Sequence, residues 1–65
     1  MVITLASARV NAGLTQTDVC KKLKMSKNTL SNYESYKTKP GIERAKQLAE
    51  LYGCSLDDIK WSADE

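Results

Sequence analysis

The sequence predicts an all-α domain, a compact bundle of five short helices. Three observations carry this. Apolar residues recur at three- and four-residue spacing, with no sustained period-two alternation and no Asn-Gly hairpin. Gly13, the step from Lys24 to Met25, residues 36–41 and Gly53 divide the chain into short helical patterns. The patterns are joined by links of about two to six residues, the spacing of neighbours in a helical bundle. The 65 residues are expected to form one domain, residues 1–65. A chain of this size buries only about 60% of its unfolded surface, so its core is small and single.

The first helix, over about 4–12, brings Leu5, Ala8 and Ala12 to helical spacing and stops at Gly13. The second opens at Thr15. Asp18 follows three residues later, a capping-box arrangement that satisfies free amides at a helix start. Val19, Cys20 and Leu23 form its apolar face. The third opens at Ser26, an N-cap, and runs to about Ser35 with Leu30 and Tyr33 inward. The fourth spans about 42–52, its buried stripe made by Ile42, Ala45, Leu48, Ala49 and Tyr52, and ends at Gly53. The fifth is short. Ser55 caps it, Asp58 completes a second box, and Leu56, Ile59 and Trp61 face inward.

The tight link between the second and third helices is informative. Two helices joined by about three residues must cross steeply, as in a helix-turn-helix. Such a crossing requires slim side chains, and Cys20 is placed for it. On a wheel of about 100° per residue, Lys27, Ser31, Asn28 and Asn32 fall near about 0°, 40°, 100° and 140°. Leu30 and Tyr33 point the other way, so the polar face of the third helix contains Lys, Asn and Ser and no acid. That composition suits the DNA major groove. Asn bonds adenine bidentately, Lys reaches guanine O6 and N7, and Ser serves either, whereas a carboxylate would be repelled by phosphates.

Charge distribution agrees. Net charge is only +2, but residues 15–39 carry six lysines against Asp18 and Glu34, a local +4. Residues 40–65 carry a local −3. One half is therefore a candidate polyanion surface.

Other functions lose their chemistry. Histidine is absent, which removes the usual general base and the commonest metal ligand. Cys20 and Cys54 lie 34 positions apart without a CxxC pair, so thiolates alone cannot build a zinc site. Their count permits a disulfide, while their apolar helical settings suit free thiols. No segment has the length of a membrane span or signal peptide. The expectation is a non-enzyme without metal, cofactor or evident small-molecule ligand, cytoplasmic and associated with the nucleoid through DNA. The competing reading is a small helical protein-interaction module, antitoxin-like, docking an acidic partner.

The stretch Ala8-Arg9-Val-Asn-Ala-Gly13-Leu14-Thr15-Gln16, with Val19-Cys20-Lys-Lys-Leu23 and Ser26-Lys-Asn-Thr-Leu30-Ser-Asn-Tyr33-Glu34, resembles the phage-repressor, Cro and Xre-type helix-turn-helix family. The ending Leu48-Ala49-Glu50-Leu51-Tyr52-Gly53-Cys54-Ser55-Leu56-Asp57-Asp58-Ile59 is also similar, so the resemblance covers nearly the whole chain. It implies a lambda-repressor-like fold of five helices and sequence-specific binding to double-stranded operator DNA as a homodimer, in the manner of a Cro-sized repressor. It further implies that Gln16 bonds a phosphate and braces a base-reading side chain, that loop lysines Lys37 and Lys39 contact phosphates, and that Arg9 and Glu34 form an ion pair between the first and third helices. Thr15 and Ser26, at helix starts, join the phosphate-positioning set. Lys27, Asn28, Ser31 and Asn32 are the base-reading set. The sequence departs from the family where Lys24 and Tyr36 replace customary glycines. Each is expected in a left-handed conformation at a cost of roughly 1 kcal/mol. A dimer surface is expected in the acidic half, near Leu51, Tyr52, Leu56 and Trp61.

Overall fold

Short polar side chains make the helix starts. In the computed structural model, which describes residues 2–63, the Thr4 hydroxyl accepts from the Ser7 amide and opens α1, Leu5–Asn11. The Thr15 hydroxyl accepts from the Asp18 amide at 3.1 Å, and the Asp18 carboxylate accepts from the Thr15 amide at 3.0 Å. This reciprocal box opens α2, Gln16–Leu23. The Thr15 amide, then the Thr15 hydroxyl, hold the Asp18 carboxyl below its ordinary pKa, helped by Lys21 and Lys22. Ser26 caps α3, Lys27–Glu34, by accepting from the Thr29 amide. Among the α-helices of the described residues, only α4, Ile42–Tyr52, starts without a side-chain cap, at Gly41.

The stops are left-handed residues. Gly13 and Gly53 have φ of 74° and 71°, and Lys24 and Tyr36 have 54° and 64°. Beyond α3, the Tyr36 amide donates to the Tyr33 carbonyl and the Lys37 amide to the Asn32 carbonyl. That pair of bonds is a Schellman motif, and it satisfies carbonyls that the helix end leaves free. The two customary glycine positions thus keep the glycine conformation with larger residues in them.

The expected fifth helix is not formed. Its cap is present, with the Ser55 amide and hydroxyl both donating to the Asp58 carboxylate. The chain then makes a single 3-10 turn at Leu56–Asp58 and becomes extended at Ile59. There β2, Ile59–Lys60, pairs in parallel with β1, Ile3–Thr4, aligning Ile3 with Ile59 and Thr4 with Lys60. The described fold is therefore four α-helices, one 3-10 turn and a two-residue ribbon. A strand of two residues carries no alternation to read, and β-branched Ile59 packs better on the ribbon than in another helical turn.

The core joins Leu5, Ala8, Val19, Leu30, Leu48, Ala49, Tyr52 and Ile59. Cys20, Leu23, Tyr33, Leu56 and Trp61 are half-buried against it, and both cysteines are free. Three expectations are corrected. Ile42 lies in the same helical stripe as Ala45 and Ala49 but is 66% exposed. It is the first residue of α4 and lines an open groove with Pro40, Leu56 and Trp61. Tyr52 is only 6% exposed, so it belongs to the core and not to a dimer surface. Ala12 is exposed as well, because it is the C-cap of α1 and lies past the buried stripe.

The Tyr52 hydroxyl is buried without a hydrogen-bond partner among the described residues. Burial, and then the Glu34 carboxylate, push the phenol well above its ordinary pKa. An unpartnered buried hydroxyl costs roughly 1–3 kcal/mol, whereas the ring itself fills core volume. Tyr52→Phe is therefore expected to stabilise the domain by about 1 kcal/mol, raising the thermal midpoint by about 4–8 °C. A fall in the midpoint would mean that the hydroxyl is bonded in the folded protein.

Candidate nucleic-acid interface

The helix-turn-helix is assembled by α2 packing on α3, with α1 and α4 behind them. The turn between α2 and α3 bends at left-handed Lys24, and the Met25 amide donates to the Cys20 carbonyl at 3.1 Å. Arg44 of α4 closes it from outside. Its Nη1 donates to the Leu23 carbonyl at 3.0 Å, placing a cation at the C-terminus of α2, where the helix dipole favours one.

Buried Leu30 faces α3 inward. Lys27, Asn28 and Ser31 are exposed together on the opposite side, and Asn32 is half-buried at the edge of that face. No acid lies among them. The Asn32 backbone carbonyl has a separate role, accepting from the Lys37 amide at 3.0 Å and the Thr38 amide at 3.4 Å. It therefore ties the loop carrying exposed Lys37 and Lys39 to the end of the reading helix. Lys39 also forms the rim of a groove of about 310 Å³ with Ile42, Leu56, Asp57 and Trp61. Thr15 and Ser26 are exposed at the starts of α2 and α3, each already accepting one amide.

Arg9 Nε lies 2.7 Å from Glu34 Oε2, and the pair is mostly buried, with side chains 15% and 9% exposed. Arg9 Nη1 also donates to the Leu14 carbonyl at 2.9 Å. Gln16 Nε2 donates to Glu34 Oε1 at 3.0 Å. Glu34, the last residue of α3, thus receives one bond from α1 and one from the start of α2. This cluster fixes three helix ends relative to each other. The Gln16 amide nitrogen carries two hydrogens and this bond takes one of them, so the side chain can still donate to a second acceptor.

Sequence reasoning had no means of finding the Gln16 to Glu34 bond, or the contact of Arg44 with Leu23. Their partners lie 18 and 21 residues away and share no motif. The bond from the Leu5 amide to the Tyr36 hydroxyl, across 31 residues, is a third, although Tyr36 itself stands out where it replaces a customary glycine. Among the described residues, no group of three His, Cys, Asp or Glu could hold a metal ion, and no helix is long and apolar enough to cross a membrane.

A family model described as helix-turn-helix matches residues 5–59. The HTH-type transcriptional regulator ImmR of Bacillus subtilis is 40% identical over 53 residues, covering 82% of this chain and 42% of its own length. An HTH-type transcriptional regulator of Methanocaldococcus jannaschii is 37% identical over 46 residues, covering 71% of this chain and 70% of its own. The chain thus spans less than half of the first relative and about two thirds of the second. No solved structure gives a significant match.

Proposed function

The chain belongs to the helix-turn-helix family of DNA-binding transcriptional regulators, which are not enzymes, and from that premise we propose a sequence-specific repressor of the phage or prophage type. It binds double-stranded operator DNA as a homodimer with α3 in the major groove. Lys27, Asn28, Ser31 and Asn32 read base edges. Thr15, Gln16, Ser26, Lys37 and Lys39 hold phosphates, which set register without reading sequence. The observation that carries the reading is the acid-free face of α3, where Lys27, Asn28 and Ser31 are exposed together.

Two copies are favoured because one small domain covers only a half-site. The contact between copies is assigned to the acidic half, at half-buried Leu51, Leu56 and Trp61, with exposed Ile42 beside the last two. Of the lysines of residues 15–39, Lys39 alone borders the groove at Leu56 and Trp61, and the other five stay clear of it for DNA.

Selection from random duplex DNA tests the whole reading at once. The expected result is a near-palindrome whose half-site centres lie about 34–36 Å apart, one helical turn. A single half-site bound at full affinity by one chain would remove the dimer. No enrichment of any sequence would remove specific DNA recognition and favour an acidic protein partner.

A further inference from the structure

Tyr36 lies between the reading helix and the lysine loop, and neither role described above uses its side chain. It holds the left-handed position after α3 at φ 64°. A glycine would take that conformation without strain and make the same backbone bonds. What tyrosine adds is a long side chain with two contacts. Its Oη accepts from the Leu5 amide at 3.3 Å, across 31 residues of chain. The Lys60 ammonium lies 5.8 Å from its ring centroid, within cation–π range.

Both contacts end at one place. Leu5 is the first residue of α1 and directly follows β1, and its amide is among those that a helix start leaves free. Lys60 is the last residue of β2, paired with Thr4. Tyr36 thus spans from the ribbon to the α3 terminus. On the loop side its backbone is held by Tyr33, and its neighbours Lys37 and Thr38 are held by Asn32.

We infer that Tyr36 is a positioning residue for DNA binding, a latch that holds the lysine loop against the ribbon so that Lys37 and Lys39 meet the DNA backbone already ordered. The inference rests on the DNA-binding reading above. A loop ordered before binding does not lose its conformational freedom on the DNA, so the latch raises affinity for every duplex equally. It does not alter which bases are read.

Tyr36→Gly and Tyr36→Phe test it. Glycine keeps the backbone conformation and removes both contacts, while phenylalanine keeps the ring over Lys60 and loses the acceptor for Leu5. Two quantities are measured well below each variant's thermal midpoint: amide exchange at Lys37 and Thr38, and affinity for the selected duplex and a scrambled one. Tyr36→Gly is expected to bind both duplexes about three- to tenfold more weakly, as expected for ordering one or two side chains' worth of loop on binding. The ratio between duplexes should hold, the two amides should exchange faster, and Tyr36→Phe should fall between. A purely structural role would move the thermal midpoint and leave the affinity of the folded protein unchanged. Wild-type affinity and wild-type exchange in Tyr36→Gly would overturn the latch and leave the DNA reading intact. Absence of any duplex preference in the unmutated chain would overturn both.

Discussion

Replacing Glu34 by Gln is expected to lower the thermal midpoint by about 12–24 °C, a loss of about 3 kcal/mol in a domain where each kcal/mol is worth about 4–8 °C. The carboxylate accepts from Arg9 through one oxygen and from Gln16 through the other. A glutamine keeps one acceptor and turns an NH2 group toward the other donor. It also removes the negative charge that compensates a mostly buried guanidinium. Breaking a fully buried pair costs about 3–5 kcal/mol, and the residual exposure of 15% and 9% sets the estimate at the lower end of that range. Glu43 and Glu50 lie exposed on α4. Changing either to Gln should stay within about 0.5 kcal/mol, as surface substitutions do. Thermal unfolding of the three variants side by side decides the matter. Equal shifts would mean that the Arg9, Gln16 and Glu34 cluster does not hold the helix ends.

The second large effect concerns recognition. Asn28→Ala or Asn32→Ala should cost about 1–3 kcal/mol on the selected duplex and little on a scrambled one, because each loses hydrogen bonds to a base edge. Neither carries charge, so the salt dependence should hardly change. Lys37→Ala or Lys39→Ala should weaken both duplexes alike and reduce the salt slope by about one, the mark of a lost phosphate contact. Lys27→Ala should lose both affinity and discrimination. Titration of each variant against both duplexes at several salt concentrations separates these outcomes. Asparagine variants that lose both duplexes equally would show that α3 is not the reading element.

Most of the helical framework could be read from the amino-acid order because its causes are local. The Thr15 and Asp18 box, the Ser26 cap and the stops at Gly13 and Gly53 join residues within about one helical turn. The acid-free face of α3 is a one-helix property as well, so the candidate reading residues followed from spacing and composition. Lys24 and Tyr36 hold the left-handed conformation expected at their positions, which turns the following amides back onto free carbonyls of α2 and α3.

Features formed between distant parts of the chain lay beyond that reading. The cap at Ser55 signals a helix start as well as the caps before it, yet the turn ends at Ile59 because Ile3 pairs with it from the other end of the chain. Ile42 and Tyr52 occupy one stripe of α4, and only the packing of the other elements leaves the first 66% exposed and the second 6%. The Glu34 carboxylate reaches both Arg9 and Gln16, and the Tyr36 hydroxyl reaches Leu5, only after α1, α2 and α3 have docked. A cap is chosen by neighbours three residues away and can be read in order. A partner 18 or 31 residues away is chosen by the path of the intervening chain, and that path exists only in the folded core.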